Sequence, residues 1–191
     1  DFAVGAPFSS TNGLTGNGEV FVFDSSSGGP LNSFSGPHDG AQLGSFLICP
    51  GDLSGNGVDD LGIAHSPGPG LPGVFEVYES SSTGPSSLMY SLECFLDTDE
   101  LGFRAQQITI LPDMDGDGKD DWLHLIPSPD PGMPADTSLR LSSSVDGSVI
   151  GNELHNPIFM ATGANSFGLN LVTLPDVNEN NHPEIFATSH F

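Results

Sequence analysis

Short runs in which every second residue is apolar recur along the chain, and they predict strands. Gly18–Asp24 (GEVFVFD) and Gly73–Glu79 (GVFEVYE) alternate with period two and each runs into three consecutive serines; Ser138–Ser142 (SLRLS) is a fainter third copy. A further run follows each serine-rich turn, at Leu31–Phe34, Leu88–Leu92 and Val149–Leu154. Another leads onward, at Leu43–Cys49, Leu101–Leu111 and Phe167–Leu174. No window carries the 3.6-residue periodicity and capping residues of a helix of useful length. The pattern predicts an all-β chain with four strands per repeat.

An acidic nine-residue loop follows each onward run: Asp52–Asp60 (DLSGNGVDD), Asp113–Asp121 (DMDGDGKDD) and Asp176–Glu184 (DVNENNHPE). Their closing residues, Asp60, Asp121 and Glu184, are 61 and 63 residues apart, and Asp1 precedes Asp60 by 59. The residues after each closing position align as well: Asp1–Phe8, Asp60–Pro67, Asp121–Ser128 and Glu184–Phe191. Regular spacing of this size marks a repeat architecture. It divides the single array 1–191 into repeats of approximately 1–59, 60–120 and 121–183, plus one extra strand at 184–191.

The loops have the chemistry of calcium cradles. Side-chain oxygens at loop positions 1, 3, 5 and 9, with the carbonyl of position 7, offer the hard-oxygen shell that Ca²⁺ takes. The candidate ligands are Asp52, Ser54, Asn56, the Val58 carbonyl and Asp60; Asp113, Asp115, Asp117, the Lys119 carbonyl and Asp121; and Asp176, Asn178, Asn180, the His182 carbonyl and Glu184. Gly57 and Gly118 stand at position 6, where the chain must bend sharply. An EF-hand would need a glutamate at position 12 and flanking helices, and Ile63, His124 and Ala187 stand there instead. A solvated acidic hairpin is the plain alternative, and the same oxygen pattern three times in register argues against it. Carboxylate count ranks the middle loop first. The third comes last, with Asn181 at position 6 and a longer closing side chain. Because each ligand set comes from one loop, the ion is expected to fix a turn and the register of two strands rather than to face a substrate.

Together these segments resemble the FG-GAP repeats of integrin α-subunit β-propellers and their bacterial relatives. The resemblance rests on Phe167-Gly168, with Leu43-Gly44 and Leu101-Gly102-Phe103 at the equivalent place, on the Asp-rich loops, and on Gly5-Ala6-Pro7. Later copies read Ala64-His65-Ser66, Leu125-Ile126-Pro127 and Thr188-Ser189-His190 where Gly-Ala-Pro would stand. The resemblance implies propeller-like blades of four antiparallel strands with calcium loops between strands, and the same ligand positions. Propellers generally have four to eight blades. Three repeats and a strand therefore belong to a longer propeller, or the surplus strand completes a repeat in a neighbouring subunit and builds a ring or filament.

Composition sharpens the functional expectation. Three basic residues oppose 25 acidic ones, giving a net charge of −22 that repels nucleic acid and anionic lipid. Bound divalent cations would relieve that self-repulsion; a solvated acidic surface suited to salt is a compatible reading. Two cysteines, Cys49 and Cys94, allow one bridge at most. No Asn-X-Ser/Thr sequon occurs, and the Pro/Ser/Gly stretches Ser66–Pro72 and Pro127–Pro134 read as exposed connecting loops. Neither an initiating Met nor a signal peptide nor a membrane-length apolar run is visible, so the chain reads as a mature or trimmed piece. The six histidines share no repeat phase and form no HExxH, and Gly-X-Ser-X-Gly is absent. Trp122, Phe21, Phe23, Phe75 and Tyr78 fit core packing better than a sugar-stacking platform. The expectation is a non-catalytic, secreted or cell-surface module for adhesion or extracellular structure, meeting a protein or glycan ligand without nucleic acid or membrane insertion. The alternative is a carbohydrate-binding or accessory domain of a larger secreted enzyme.

Overall fold

The computed structural model describes residues 1–66, 68, 73–94, 108–127, 137–151, 154–155, 166–174, 176–177 and 184–190. The described residues form thirteen strands and no helix. The strands follow one another as antiparallel meanders. The first sheet is β1 (Phe2–Ala6), β2 (Glu19–Phe23) and β3 (Pro30–Ser35). The second is β4 (Phe46–Gly51), β5 (Asp60–His65), β6 (Gly73–Ser81) and β7 (Gly84–Cys94). The third is β8 (Ile108–Leu111), β9 (Asp121–Pro127), β10 (Thr137–Ser142) and β11 (Leu154–His155). The hairpin β12 (Ser166–Leu174) and β13 (Glu184–His190) is the fourth. The chain divides into two compact units, 1–93 and 94–191.

In the first unit, β2 alternates as its sequence demands. Val20 and Val22 turn inward while Phe21 and Phe23 take the other face. Val20 and Val22 meet Leu61 and Ile63 of β5 and Leu43, and Ala3, Leu31, Phe34, Leu47 and Tyr78 close the margins. The core of this unit is therefore the space between its two sheets. Strand β5 is buried on both faces, which its small residues permit: a Cβ on Gly62 would enter the Phe75 ring. Phe75, fully buried, lies 6.5 Å from Phe46 across that second face.

Leu43-Gly44 and Gly5-Ala6-Pro7 meet between these sheets. Gly44, at φ +84°, donates its N–H to the Ala64 carbonyl at 3.1 Å, and a Cβ on Gly5 would collide with the Gly44 carbonyl. Leu43 bridges to Gly18, and Ser66 N–H donates to Ala41 at 2.7 Å. Segment 41–45 thereby ties one sheet to the other through main-chain bonds.

The second unit repeats the plan. Leu111, Leu123, Leu125 and Leu139 form its core, with Leu141 alongside. Strand β9 is again the strand buried on both faces, and Trp122, His124 and Ile126 occupy its other side. His124, with no exposed surface, has Nε2 3.0 Å from Ser142 Oγ.

Three expected strands are corrected. The run 43–49 begins its ladder only at Phe46, because Gly44 turns the chain away from the sheet. The run 149–154 shrinks to Leu154–His155, with Val149 making a lone bridge to Ser142, because Gly151 sits at φ +71° and interrupts it. Conversely, the run 88–92 extends to Gly84–Cys94. Residues 101–107, with Leu101-Gly102-Phe103, lie outside the described residues, as do most of Ser66–Pro72 and Pro127–Pro134.

Candidate metal centre

Each acidic loop joins the first strand of a sheet to the second: β4 to β5, β8 to β9, β12 to β13. Position 1 organises the turn. Asp52 Oδ1 accepts N–H groups of Gly55 and Asn56 at 2.7 and 3.0 Å, and its Oδ2 accepts that of Gly57 at 2.8 Å. Asp113 repeats this with Gly116 at 2.6 Å and Gly118 at 2.9 Å. Those N–H donors, Gly118 first, hold the Asp113 carboxyl below its usual range. Position 5 braces the next turn: Asn56 Oδ1 accepts from Val58 and Asp117 Oδ1 from Lys119, both at 2.8 Å.

The sequence reading singled out glycine at position 6, and position 4 behaves the same way. Gly55 and Gly57 have φ of +79° and +86°, and Gly116 and Gly118 both +88°. A Cβ at any of the four would meet nothing within 4 Å, so the requirement is conformational and not one of space.

In the middle loop, ligand oxygens of Asp113, Asp115 and Asp117 all lie within 4.8 Å of one another, exposed to solvent. These three carboxylates could hold a metal ion. Their hard, anionic oxygens fit a cation such as Ca²⁺, with water completing its shell. At positions 1, 3 and 5 the first loop has one carboxylate, Asp52, with Ser54 and Asn56. Ser54 Oγ lies 3.4 Å from Asp52 Oδ1, and the Asn56 amide group donates to the Ser80 carbonyl at 2.6 Å. In the third loop Asn178, Asn180 and His182 lie outside the described residues.

The closing residue does something the sequence did not announce. Asp60 is buried, and its Oδ2 accepts the N–H groups of Leu53 and Ser54 at 2.9 and 2.8 Å while Oδ1 accepts that of Ser80 at 2.8 Å. Asp121, also buried, accepts from Met114 at 2.7 Å and Ser144 at 3.3 Å. Glu184 accepts from Val177 at 2.8 Å. Asp121 stands outside the 113/115/117 group, so position 9 works as a latch that joins the loop's second residue to the end of the sheet's third strand. Burial raises the Asp121 carboxyl, its N–H donors oppose that, and the charges of Asp115 and Asp117 add to the rise. A cation among those two carboxylates would reverse that last contribution.

The third strand's end also reaches position 5. Glu79 Oε1 accepts from Asn56 at 3.3 Å, and Ser143 Oγ lies 3.5 Å from Asp117 Oδ2. The signal was present: Ser25, Ser80 and Ser144 hold one place in the repeat.

A second polar group faces the sheet-to-sheet core. His65, buried, has Nε2 3.5 Å from Glu76 Oε2, which accepts the Tyr78 hydroxyl at 2.8 Å. Burial works against a charged His65, and the Glu76 hydrogen bond and charge outweigh it, raising its value. The same bond to His65 lowers Glu76. Burial and Glu76 together push the Tyr78 hydroxyl well up. Trp122 and Phe75 are fully buried, as core packing requires. Cys49 is an exposed thiol on β4, and Cys94 is buried. Beside the first loop a groove of about 400 Å³ is bounded by Phe2, Cys49, Val58, Asp60 and Pro85.

No family model matches the sequence, and neither does any curated protein. Among solved structures the chain is similar to a rhamnogalacturonan lyase, PL11, of Bacillus licheniformis, with a TM-score of 0.50 and 16% identity. The match covers 97% of this chain but 29% of the lyase chain, so it spans less than a third of that protein and bears on the all-β fold alone.

Proposed function

We propose that this chain is a non-catalytic, calcium-stabilised extracellular module of the FG-GAP β-propeller type, its four-stranded sheets acting as blades. It serves adhesion or extracellular structure, meets a protein or glycan ligand at its surface, and associates with its own kind head to tail. The observation that carries this reading is the triad Asp113, Asp115 and Asp117, gathered within 4.8 Å on a turn whose backbone is already shaped by Gly116 and Gly118. Calcium held there, and more weakly among the first and third loops, closes each hairpin by neutralising carboxylates that otherwise repel one another. Native mass spectrometry in calcium tests it: a protein retaining one or more Ca²⁺, with loss of the tightest-bound ion in D115N/D117N, is expected. A protein that retains none would refute it.

The likeness to the lyase favours a second reading, an accessory domain of a larger carbohydrate-active enzyme. Saturable binding to rhamnogalacturonan oligosaccharides would select that reading over adhesion.

A further inference from the structure

Glycine follows asparagine at three places, Asn12-Gly13, Asn17-Gly18 and Asn56-Gly57, all among the described residues. Such a pair carries its own chemistry. Asparagine is a thermolabile residue, and a glycine after it has no Cβ to shield its main-chain nitrogen. That nitrogen attacks the asparagine side-chain carbonyl carbon. The new N–C bond closes a succinimide ring, and the C–Nδ2 bond breaks to release ammonia, which carries off the glycine N–H proton. Water then opens the ring at one carbonyl or the other, leaving aspartate or isoaspartate. The reaction requires an amide that can turn toward the next residue and a glycine N–H not held by another acceptor.

The fold withholds both conditions from two of the pairs. Asn17 is fully buried, its Nδ2 donates to Thr11 Oγ1 at 3.1 Å and to the Gly36 carbonyl at 3.0 Å, and its Oδ1 accepts the Thr11 N–H at 2.9 Å. Gly18 N–H donates to the Ser9 carbonyl at 3.1 Å. Asn56 is exposed yet tied: its Nδ2 donates to the Ser80 carbonyl at 2.6 Å, its Oδ1 accepts from Val58 at 2.8 Å, and Gly57 N–H donates to Asp52 Oδ2 at 2.8 Å. Asn12 and Gly13 differ on every count. They are exposed at the tip of the turn between β1 and β2, at φ of +56° and +81°, and the turn is closed by Leu14 N–H donating to the Thr11 carbonyl at 2.9 Å. Among the described residues neither the Asn12 amide nor the Gly13 N–H makes a hydrogen bond, and a Cβ on Gly13 would meet nothing within 4 Å. We propose that Asn12 is a modification site of the folded protein, converting by itself to aspartate and isoaspartate while Asn17 and Asn56 keep their amides. The product adds a negative charge to a chain already at −22. Its isoaspartate form also inserts a methylene into the main chain beside Thr11, the residue that holds buried Asn17.

The test ages the full chain in mildly alkaline buffer, folded in one portion and unfolded in guanidinium chloride in another. Peptide mass mapping locates each lost amide, and methyl transfer from S-adenosylmethionine by an isoaspartate methyltransferase counts isoaspartate. The folded chain is expected to lose the amide of Asn12 alone, with a matching acidic shift on ion exchange and a new methyl acceptor. The unfolded chain is expected to lose all three. Asn12→Gly, which suits the left-handed turn, is expected to abolish methyl acceptance by the folded chain. An Asn12 amide that persists in the folded chain while the unfolded chain converts, or the same pattern of loss in both portions, would overturn the assignment. Neither outcome involves the Asp113 loop, so calcium binding there stands or falls separately.

Discussion

At the scale of single residues, two kinds of position govern the loops, and they respond differently to substitution. The buried closing carboxylate is a main-chain latch. Asp60→Ala strands the N–H groups of Leu53, Ser54 and Ser80, so it is expected to lower stability by about 3 kcal/mol in urea unfolding even without metal. Gly118→Ala should cost about 1–2 kcal/mol, from its φ of +88° and not from crowding, and the same loss is expected at Gly116. A thermal melt in which G116A matches wild type would contradict the conformational account. The aspartates at positions 1, 3 and 5 of the middle loop were legible in the sequence because their type and spacing are those a hard-oxygen cation site would require. The latch was not: a carboxylate that could be a ligand and one that accepts main-chain N–H groups look identical until burial and the position of the third strand are known.

Among elements, the strands were readable wherever one face is buried, since alternation is then enforced, as at Val20 and Val22. Strand ends were less readable. Gly44 and Gly151 look like ordinary strand glycines in sequence, and only their positive φ reveals that the chain leaves the ladder there. Close approach of the first two sheets depends on Gly5 lying against Gly44, so Gly5→Ala is expected to destabilise by about 1–3 kcal/mol through overpacking. The His65 and Glu76 pair gives the same interface a pH dependence. The raised His65 stabilises the fold below its ordinary value of 6.5, and that contribution is lost as pH rises through its folded value. The lowered Glu76 contributes above its ordinary value of 4.5, and its share is lost as pH falls through its folded value. Stability from the pair is therefore full between those two ordinary values, and His65→Gln should flatten the decline above pH 6.5 in urea midpoints measured across pH. An unchanged profile in H65Q would show that another group titrates there.

For the molecule as a whole, a net charge of −22 makes compactness and cation binding one problem. The sequence exposed the repeat, and the repeat exposed the sheets, because each acidic loop recurs between the same two strands. Sequence could not show which oxygens converge: among the described residues the middle loop alone gathers three carboxylates, and Asp121 stands apart from them. A cation that binds the folded chain alone stabilises it by about 4 kcal/mol at a thousand times its dissociation constant. The most direct test is calorimetric melting of the whole chain in millimolar calcium and in EGTA, with magnesium at matched ionic strength as the control for charge screening. A melting temperature several degrees higher in calcium than in either control is predicted. Coincident melting curves in all three would contradict the claim that calcium holds these hairpins closed.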